Sequence, residues 1–277
     1  MSASSVFRVD FRVARRSRIL WGTTLAFVFL VATVLLTNST SSPGARSTAM
    51  STMVGAGMFV LPLVVMVVSY LSLAGERESG RIKYLLGLPH SRRDVLIGKF
   101  ASRVAIVVAS AGVALTIGAA LLSLRFGSVP VEAYLKYVLA TVYFAVVYVG
   151  LIVGISAAAG SRTRAMTGSV GAYFLLNVAW LIPVVDPRNV AAFLVEDLLG
   201  MSALPGLYDF VYHLSPMTAY AAIGNEIIPG ITRGGFVGQY DGLPFFLEGW
   251  FMLVILAAWL IVPLVVGFGR FRNAELG

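Results

Sequence analysis

Long apolar runs alternate with short polar stretches along the whole chain. Each run is about twenty residues long, which is the length at which a helix rising 1.5 Å per residue crosses a hydrocarbon core about 30 Å thick. The pattern predicts six spans, at residues 19–37, 53–73, 100–124, 137–159, 165–185 and 248–268. The predicted fold class is therefore an all-α polytopic membrane protein, with residues 1–277 forming a single transmembrane domain.

Two segments outside the predicted spans mix apolar and polar residues. Residues 4–18 interleave Arg with Val and Phe, and Val6, Val9 and Val13 share one helical face. This predicts an interfacial basic helix with its Arg side chains toward lipid phosphates, although the same charges also fit a simple orientation signal. Residues 186–246 contain apolar pieces that Pro and Gly interrupt, which predicts short interfacial or re-entrant outer helices before the last span.

The connections between the spans are predicted from their polar and turn-forming residues. Residues 38–50 are rich in Ser and Thr and predict a solvated loop, and residues 125–136 predict a short outer loop. Gly150-x-x-x-Gly154 in the fourth span places two small residues one helical turn apart, which permits close approach of another helix. That approach serves packing within the bundle or a dimer contact, and packing within the bundle is the favoured interpretation.

Polar side chains inside the spans are few. A buried carboxylate or lysine is the usual mark of an ion-coupled pathway, and the predicted spans carry none away from their ends. The polar groups that remain are Tyr143, Tyr148, Tyr173 and Asn177. They fit either a translocation path or hydrogen bonds between helices, and the second interpretation is favoured.

The most charged segment, residues 75–99, lies between the second and third predicted spans. A charge at the bilayer centre costs roughly 2.5–3.5 kcal/mol, so this segment lies outside the hydrocarbon. A short apolar stripe at helical spacing contains Ile82, Leu85, Leu86 and Leu88. Pro89 interrupts the stripe, and Ser91 with Asp94 three residues later has the pattern of a capping box. The segment predicts two short surface helices around a Pro elbow.

This segment resembles the first cytoplasmic loop of type-2 ATP-binding-cassette (ABC) permeases, the exporter-like membrane-domain family. The resemblance rests on Glu76-Arg-Glu-Ser-Gly80, Leu85-Leu86, Leu88-Pro89, Ser91-Arg92 and Gly98-Lys99. Arg81 replaces the usual Thr, and His90 stands where Val or Leu is commoner. In that family the loop forms a coupling helix that docks into a groove on a separate ATPase subunit. The resemblance implies ATPase-coupling residues at Glu76, Arg77, Glu78, Gly80, Leu85, Leu86, Pro89, Ser91, Arg92 and Arg93.

The resemblance also implies a function and a set of partners. It implies the permease subunit of an ATP-driven exporter, paired with a second copy or a similar permease in the lipid bilayer. ATP would be bound by the partner ATPase, because Gly98-Lys99 lacks the upstream glycine of a phosphate-binding loop, and no enzyme activity or cofactor is expected of this chain. A secondary transporter, a channel and a non-transporting assembly factor are the alternatives.

Composition and charge narrow the class further. Hydrophobic residues make up 58% of the chain and charged residues 12%, which excludes an ordinary soluble domain. The net charge of +8 does not indicate nucleic acid, because Lys and Arg lie at the ends of the spans and form no basic stripe with aromatics. The chain has no cysteine, which excludes disulfides and thiolate metal sites.

The distribution of Lys and Arg predicts the orientation. Sixteen of the 21 Lys and Arg residues fall in segments on the same side as the termini. The five on the other side are Arg46, Arg125, Lys136, Arg188 and Arg233. By the positive-inside rule, the chain is predicted to be a multi-pass protein of the plasma membrane with both termini in the cytoplasm.

Overall fold

The computed structural model describes residues 3–16, 18–82, 91–228 and 244–274, and all the regular elements in these ranges are helices. The α-helices are α1 (Ala3–Arg16), α2 (Arg18–Thr37), α3 (Ala45–Ser69), α4 (Ala74–Glu78), α5 (Arg92–Phe126), α6 (Val131–Ala158), α7 (Arg162–Tyr173), α8 (Pro187–Ala192), α9 (Pro205–His213), α10 (Pro216–Ile227) and α11 (Gly249–Arg272). The predicted all-α fold class is confirmed.

Five helices of the described chain are long and apolar enough to cross a membrane. They are α2, α5, α6, α11 and the continuous run from α3 to the end of α4 (Ala45–Glu78). They correspond to five of the six predicted spans. The predicted span 165–185 falls on α7, which continues as a π turn (Phe174–Val178) and a 3₁₀ turn (Ala179–Leu181). The chain leaves helical geometry at Ile182, whose backbone is extended, so this helical run ends before residue 185.

Three helices begin well before the apolar runs that predicted them. α3 begins at Ala45, α5 at Arg92 and α6 at Val131. The predicted loops at residues 38–50 and 125–136 are therefore wrong over the residues that these helices occupy. The physical reason is that hydropathy marks only the part of a helix that needs an apolar surrounding. Backbone hydrogen bonding extends a helix past that part into polar sequence until a cap or a breaker ends it.

The bundle is built around α6. In the most apolar stretch of this helix, 67% of the residues are buried inside the protein. α11 packs on α6 at glycine contacts. A methyl group added to Gly150 would press on Leu260, and one added to Gly154 would overlap the backbone of Pro263. Gly267 in turn lies directly against the backbone of Gly154. Packing within the bundle, the favoured interpretation of the small-residue pair, is confirmed.

The tip of a helical hairpin formed by α9 and α10 packs against the bundle. Ser215 caps α10, and its hydroxyl donates a hydrogen bond to the Leu176 carbonyl at 2.8 Å. The indole N–H of Trp259, near the middle of α11, donates to the Leu214 carbonyl at 2.8 Å. The described part of the region between residues 186 and 246 therefore contains packed helices, from Pro187 to Ile227.

α10 is held by a fully buried tyrosine. The ring of Tyr220 stacks on Phe144 of α6 with 4.2 Å between centroids, and its hydroxyl lies 2.9 Å from that of Thr141. Gly224, one turn further along, lies so close to Val54 of α3 that an added methyl group would be 2.6 Å from a Val54 methyl. α10 thus fills the space between α3 and α6.

The polar residues of the spans form hydrogen bonds between helices. Tyr148 of α6 donates to the buried Asn177 side chain at 2.9 Å. Tyr143 donates to a backbone carbonyl of α11 at 3.2 Å, and Tyr173 donates to one of α3 at 3.4 Å. The interpretation of these four residues as interhelical hydrogen-bonding groups is confirmed.

Candidate functional site

The candidate site is the coupling segment, defined as residues 75–99. The structure describes its first part, through Ile82, and its last part, from Ser91 onward. Leu85, Leu86 and Pro89 lie outside the described residues, as does most of the first predicted surface helix. Along the chain, the first described part contains the end of α4 and precedes residues 83–90. The second part follows those residues and contains the start of α5.

The predicted capping box is present, but the helix that it begins differs from the prediction. The Ser91 hydroxyl accepts a hydrogen bond from the Asp94 N–H, and the Asp94 carboxylate accepts one from the Ser91 N–H, both at 3.1 Å. The helix is the 35-residue α5. The prediction of a separate second surface helix is therefore wrong. No helix-breaking residue separates Ser91 from the apolar run, and Gly98 lies inside the helix, packed against α1.

Hydrogen bonds between side chains and backbone groups hold α4 to the end of α6. The buried hydroxyl of Ser156 accepts hydrogen bonds from the N–H groups of Leu73 and Ala74, each at 3.1 Å. The Arg77 guanidinium donates to carbonyl oxygens at the C-terminal end of α6, with 2.8 Å to Ala159. Arg77 thereby satisfies acceptors that a helix end leaves without partners, and it holds α4 to the end of α6.

Glu78 joins the same segment to α7. Its carboxylate accepts a hydrogen bond from the backbone N–H of Arg162, the first residue of α7, at 2.6 Å. The Arg162 guanidinium lies 3.7 Å from the other carboxylate oxygen. A carboxylate at a helix N-terminus is favoured by the unsatisfied N–H groups there and by the helix dipole. The turn between α6 and α7 is therefore held against α4 from both sides.

An ion cluster, defined as Asp10, Glu76, Lys99 and Arg103, lies on the opposite side of α4. Lys99 is only 4% exposed, and its ammonium group contacts both the Glu76 carboxylate and that of Asp10, the latter at 2.5 Å. Arg103 lies 3.6 Å from Asp10. Burial raises the pKa of Asp10, but the charges of Lys99 and Arg103 outweigh burial and leave that pKa below its usual value. The cluster thus ties α1, α4 and α5 together.

Arg92 is also used inside the chain. Its guanidinium donates to the carbonyl oxygens of Phe271, Arg272 and Ala274, at 2.6, 2.7 and 2.9 Å. It lies 5.8 Å from the centre of the Phe271 ring as well. Arg92 therefore caps the C-terminal end of α11, where cations interact favourably with the helix dipole.

Several other described residues of the coupling segment face outward. Arg93 and Ser91 are exposed, as are Ser79 and Arg81 on the other described part of the segment. Gly80 has φ of 72°, a left-handed conformation that glycine adopts at no steric cost, and it ends the turn after α4. The predicted site residues thus divide into an inward group (Glu76, Arg77 and Arg92), a bridging Glu78, and an outward group (Ser91 and Arg93).

Sequence reasoning missed three residues that hold this site. Asp10 is the single acid among the basic residues of α1, and that contrast was an available signal. In the sequence, Lys99 stands out only as part of Gly98-Lys99, and its burial has no sequence signal of its own. Ser156 lies in an apolar helix, where a lone serine is common and marks no particular contact.

Comparison with known proteins identifies the family. The sequence profile described as ABC-2 family transporter protein matches residues 4–276, which is nearly the whole chain. The Pseudomonas aeruginosa protein named "Probable ABC transporter permease protein NosY" is 22% identical over 223 residues, covering 79% of this chain and 77% of that protein. The resemblance to the type-2 ABC permease family is thereby confirmed, and the chain belongs to the ABC-2 family of transporter proteins.

Proposed function

We propose that this chain is the permease subunit of an ATP-driven ABC exporter, in which a separate ATPase subunit hydrolyses ATP and docks on the coupling segment. One observation carries the proposal. The described parts of the coupling segment expose Arg81 and Arg93, while Glu76, Arg77 and Glu78 hold the same segment to α5, α6 and α7. A loop that only connects two spans has no need of contacts to so many helices.

These contacts define how force from the ATPase reaches the spans. Movement of α4 pulls on Ser156 and on the last carbonyls of α6, and it pulls on the first turn of α7 through Glu78. Packed helices respond to such a pull as rigid bodies that shift between two arrangements. ATP binding by the partner would favour one arrangement, because the partner grips the coupling segment differently in its two states.

The cavities of the structure support a substrate path that runs between two chains and not through a single bundle. The cavity enclosed by α2, α3, α5 and α6 has a volume of about 30 Å³, little more than a water molecule needs. A hollow of about 580 Å³ opens instead on the outside of the bundle, between Tyr70 and Leu71 after α3 and Met166 and Gly171 of α7. Met166, Phe174 and Leu175 expose apolar side chains along the same helical run. We therefore propose that two copies, or this chain and a similar permease, pair along α7.

The membrane arrangement that we propose has six spans, with both termini in the cytoplasm of a cell whose plasma membrane holds the protein. Residues 162–181 are helical throughout and supply the fifth span. The hairpin of α9 and α10 is re-entrant, since its tip at Leu214 contacts Trp259 near the middle of α11. A cytoplasm-only reporter fused after residue 277 should be active, and the same reporter inserted at Gly44 should be inactive. The reverse result would overturn this orientation.

The docking proposal is tested by reversing exposed charges that make no contact inside the described chain. Arg81→Glu and Arg93→Glu should reduce co-purification of the ATPase, because a like-charge contact in an interface costs several kcal/mol. Lys136→Gln removes an exposed cation at the opposite end of the bundle, where its pair with Glu132 is screened by water, and is the matched control. Expression and thermal unfolding of all three variants should equal those of the wild type.

Two results would decide against the docking assignment. The first is ATPase recovery with Arg81→Glu and Arg93→Glu that equals recovery with the Lys136 control. The second is equal recovery with Leu85→Asp, which places a charge in the apolar stripe that is predicted to contact the ATPase groove. Loss of ATP-dependent transport with full ATPase recovery would place the role of the segment in force transmission instead of docking.

A further inference from the structure

α1 presents two chemically different faces, and its inner face is fixed to α5. Val6 is buried against Gly98, where an added methyl group would lie 2.6 Å from the Val6 side chain. Asp10, one turn further along, belongs to the ion cluster with Lys99 and Arg103. These contacts cover Val6 and Asp10, whereas the side chains at positions 8, 9, 12 and 13 stay exposed and are left for another partner.

The outer face of α1, defined as Arg8, Val9, Arg12 and Val13, is exposed. Val9 is 60% and Val13 67% exposed, and both lie beside the two arginines on one arc of the helix. Within the described chain, neither Arg8 nor Arg12 forms an ion pair or a hydrogen bond. An apolar stripe next to a row of cations is the composition that binds the boundary between anionic headgroups and acyl chains.

The depth of α1 in the membrane follows from its contacts with α5. Residues 104–124 of α5 contain no charged side chain, and about twenty helical residues span a hydrocarbon core about 30 Å thick. Lys99 and Arg103 therefore lie at the headgroup level beside the end of that stretch. α1 contacts α5 at Gly98, Lys99 and Arg103, so α1 lies at the same level, and it leads into α2 after a single residue.

We propose that the outer face of α1 is a binding site for an anionic phospholipid, and that an occupied site steadies the coupling segment through the ion cluster. Arg8 and Arg12 would bind the lipid phosphate, and Val9 and Val13 would lie against the first methylene groups of its chains. On the inner face of the same helix, Asp10 contacts Lys99, and Lys99 contacts Glu76 of the coupling segment. The effect on the coupling segment rests on the function proposed above, whereas the lipid site does not.

Lipid is favoured over the ATPase as the occupant for a geometric reason. The exposed Arg93 of the coupling segment lies six positions before Lys99, about 9 Å further from the membrane along α5. A subunit that docks at that level meets the coupling segment first, while α1 lies at the membrane surface. The paired Val9 and Val13 would remain in water on a purely electrostatic docking surface, but they are covered when the helix rests on lipid.

The lipid site is tested with the full-length protein in detergent by native mass spectrometry, titrating phosphatidylglycerol or phosphatidylcholine. The wild type should bind a first phosphatidylglycerol more tightly than phosphatidylcholine. Each basic residue near an anionic surface contributes about fivefold to affinity, so Arg8→Gln/Arg12→Gln should lower phosphatidylglycerol affinity roughly 25-fold. The control, Arg164→Gln/Lys136→Gln, removes two exposed charges elsewhere and should leave that affinity unchanged.

The link to the coupling segment is tested by hydrogen exchange of residues 74–82 in the same samples. Phosphatidylglycerol should slow this exchange in the wild type and in the control, but not in Arg8→Gln/Arg12→Gln. Equal affinity of the wild type for both lipids, or an unchanged preference in Arg8→Gln/Arg12→Gln, would overturn the lipid site. Lipid binding that leaves exchange at residues 74–82 unaltered would overturn the link.

A further outcome separates this proposal from the proposed function. If Arg8→Gln/Arg12→Gln keeps its lipid preference but loses the ATPase on purification, α1 serves the protein partner and the lipid site is wrong. If no ATPase partner exists, the proposed function fails, while the preference for phosphatidylglycerol and its dependence on Arg8 and Arg12 are still expected.

Discussion

Replacing Lys99 with Met tests the ion cluster that joins α1 to the coupling segment. Met preserves most of the side-chain volume, so the main change is the loss of a buried positive charge. Removing one partner of a buried pair costs about 3–5 kcal/mol, because the other charge stays buried without compensation. Here Asp10 keeps Arg103 at 3.6 Å, whereas Glu76 loses Lys99 and has a buried oxygen with no hydrogen-bond partner in the described chain.

The retained Arg103 contact places the expected cost near the lower limit, at about 3 kcal/mol. The assay is the free energy of unfolding in mixed micelles at neutral pH, measured by denaturant titration. Lys136→Met is the matched control, because Lys136 pairs with Glu132 at 2.7 Å on the exposed surface of α6. Its loss should produce no measurable change, since water screens such a pair.

A compensating variant separates charge from packing. Lys99→Met combined with Glu76→Gln removes the carboxylate that lost its partner and keeps the Asp10–Arg103 contact, so most of the lost stability should return. The reasoning is refuted if Lys99→Met costs no more than Lys136→Met. It is also refuted if the double variant is less stable than Lys99→Met alone, because the loss would then come from packing.

The remaining predictions concern helix packing and helix capping. Gly154→Val should lower the free energy of unfolding by about 1–3 kcal/mol, because its side chain would overlap the backbone of α11. Gly112→Ala, where a methyl group meets open space, should be neutral or stabilising, and thermal unfolding of the two variants compares them. Arg92→Gln should speed hydrogen exchange at residues 268–274, because the carbonyl groups that end α11 lose their donor. The neighbouring Arg93→Gln should leave this exchange unchanged, and equal rates in the two variants would contradict the capping role.

Local patterns in the sequence determined the helices and the candidate segment. Five apolar runs correspond to helices long enough to span, since the bilayer sets a length that any spanning helix must meet. The capping box at Ser91 was also correct, because a cap depends on residues three positions apart. The helix starts were wrong where polar residues precede an apolar run, since hydropathy reports surroundings and not backbone hydrogen bonding.

Tertiary structure alone decided which charges of the coupling segment face inward. Glu76 and Glu78 lie two positions apart and look equivalent in sequence, but Glu76 contacts the buried Lys99 while Glu78 reaches α7. Arg92 and Arg93 are neighbours, and only Arg92 points at the end of α11. These assignments depend on groups that are far apart along the chain and that only the packed bundle brings within hydrogen-bond distance. The sequence by itself determined that a charged segment joins two spans, and the packing of distant helices determined what each of its charges does.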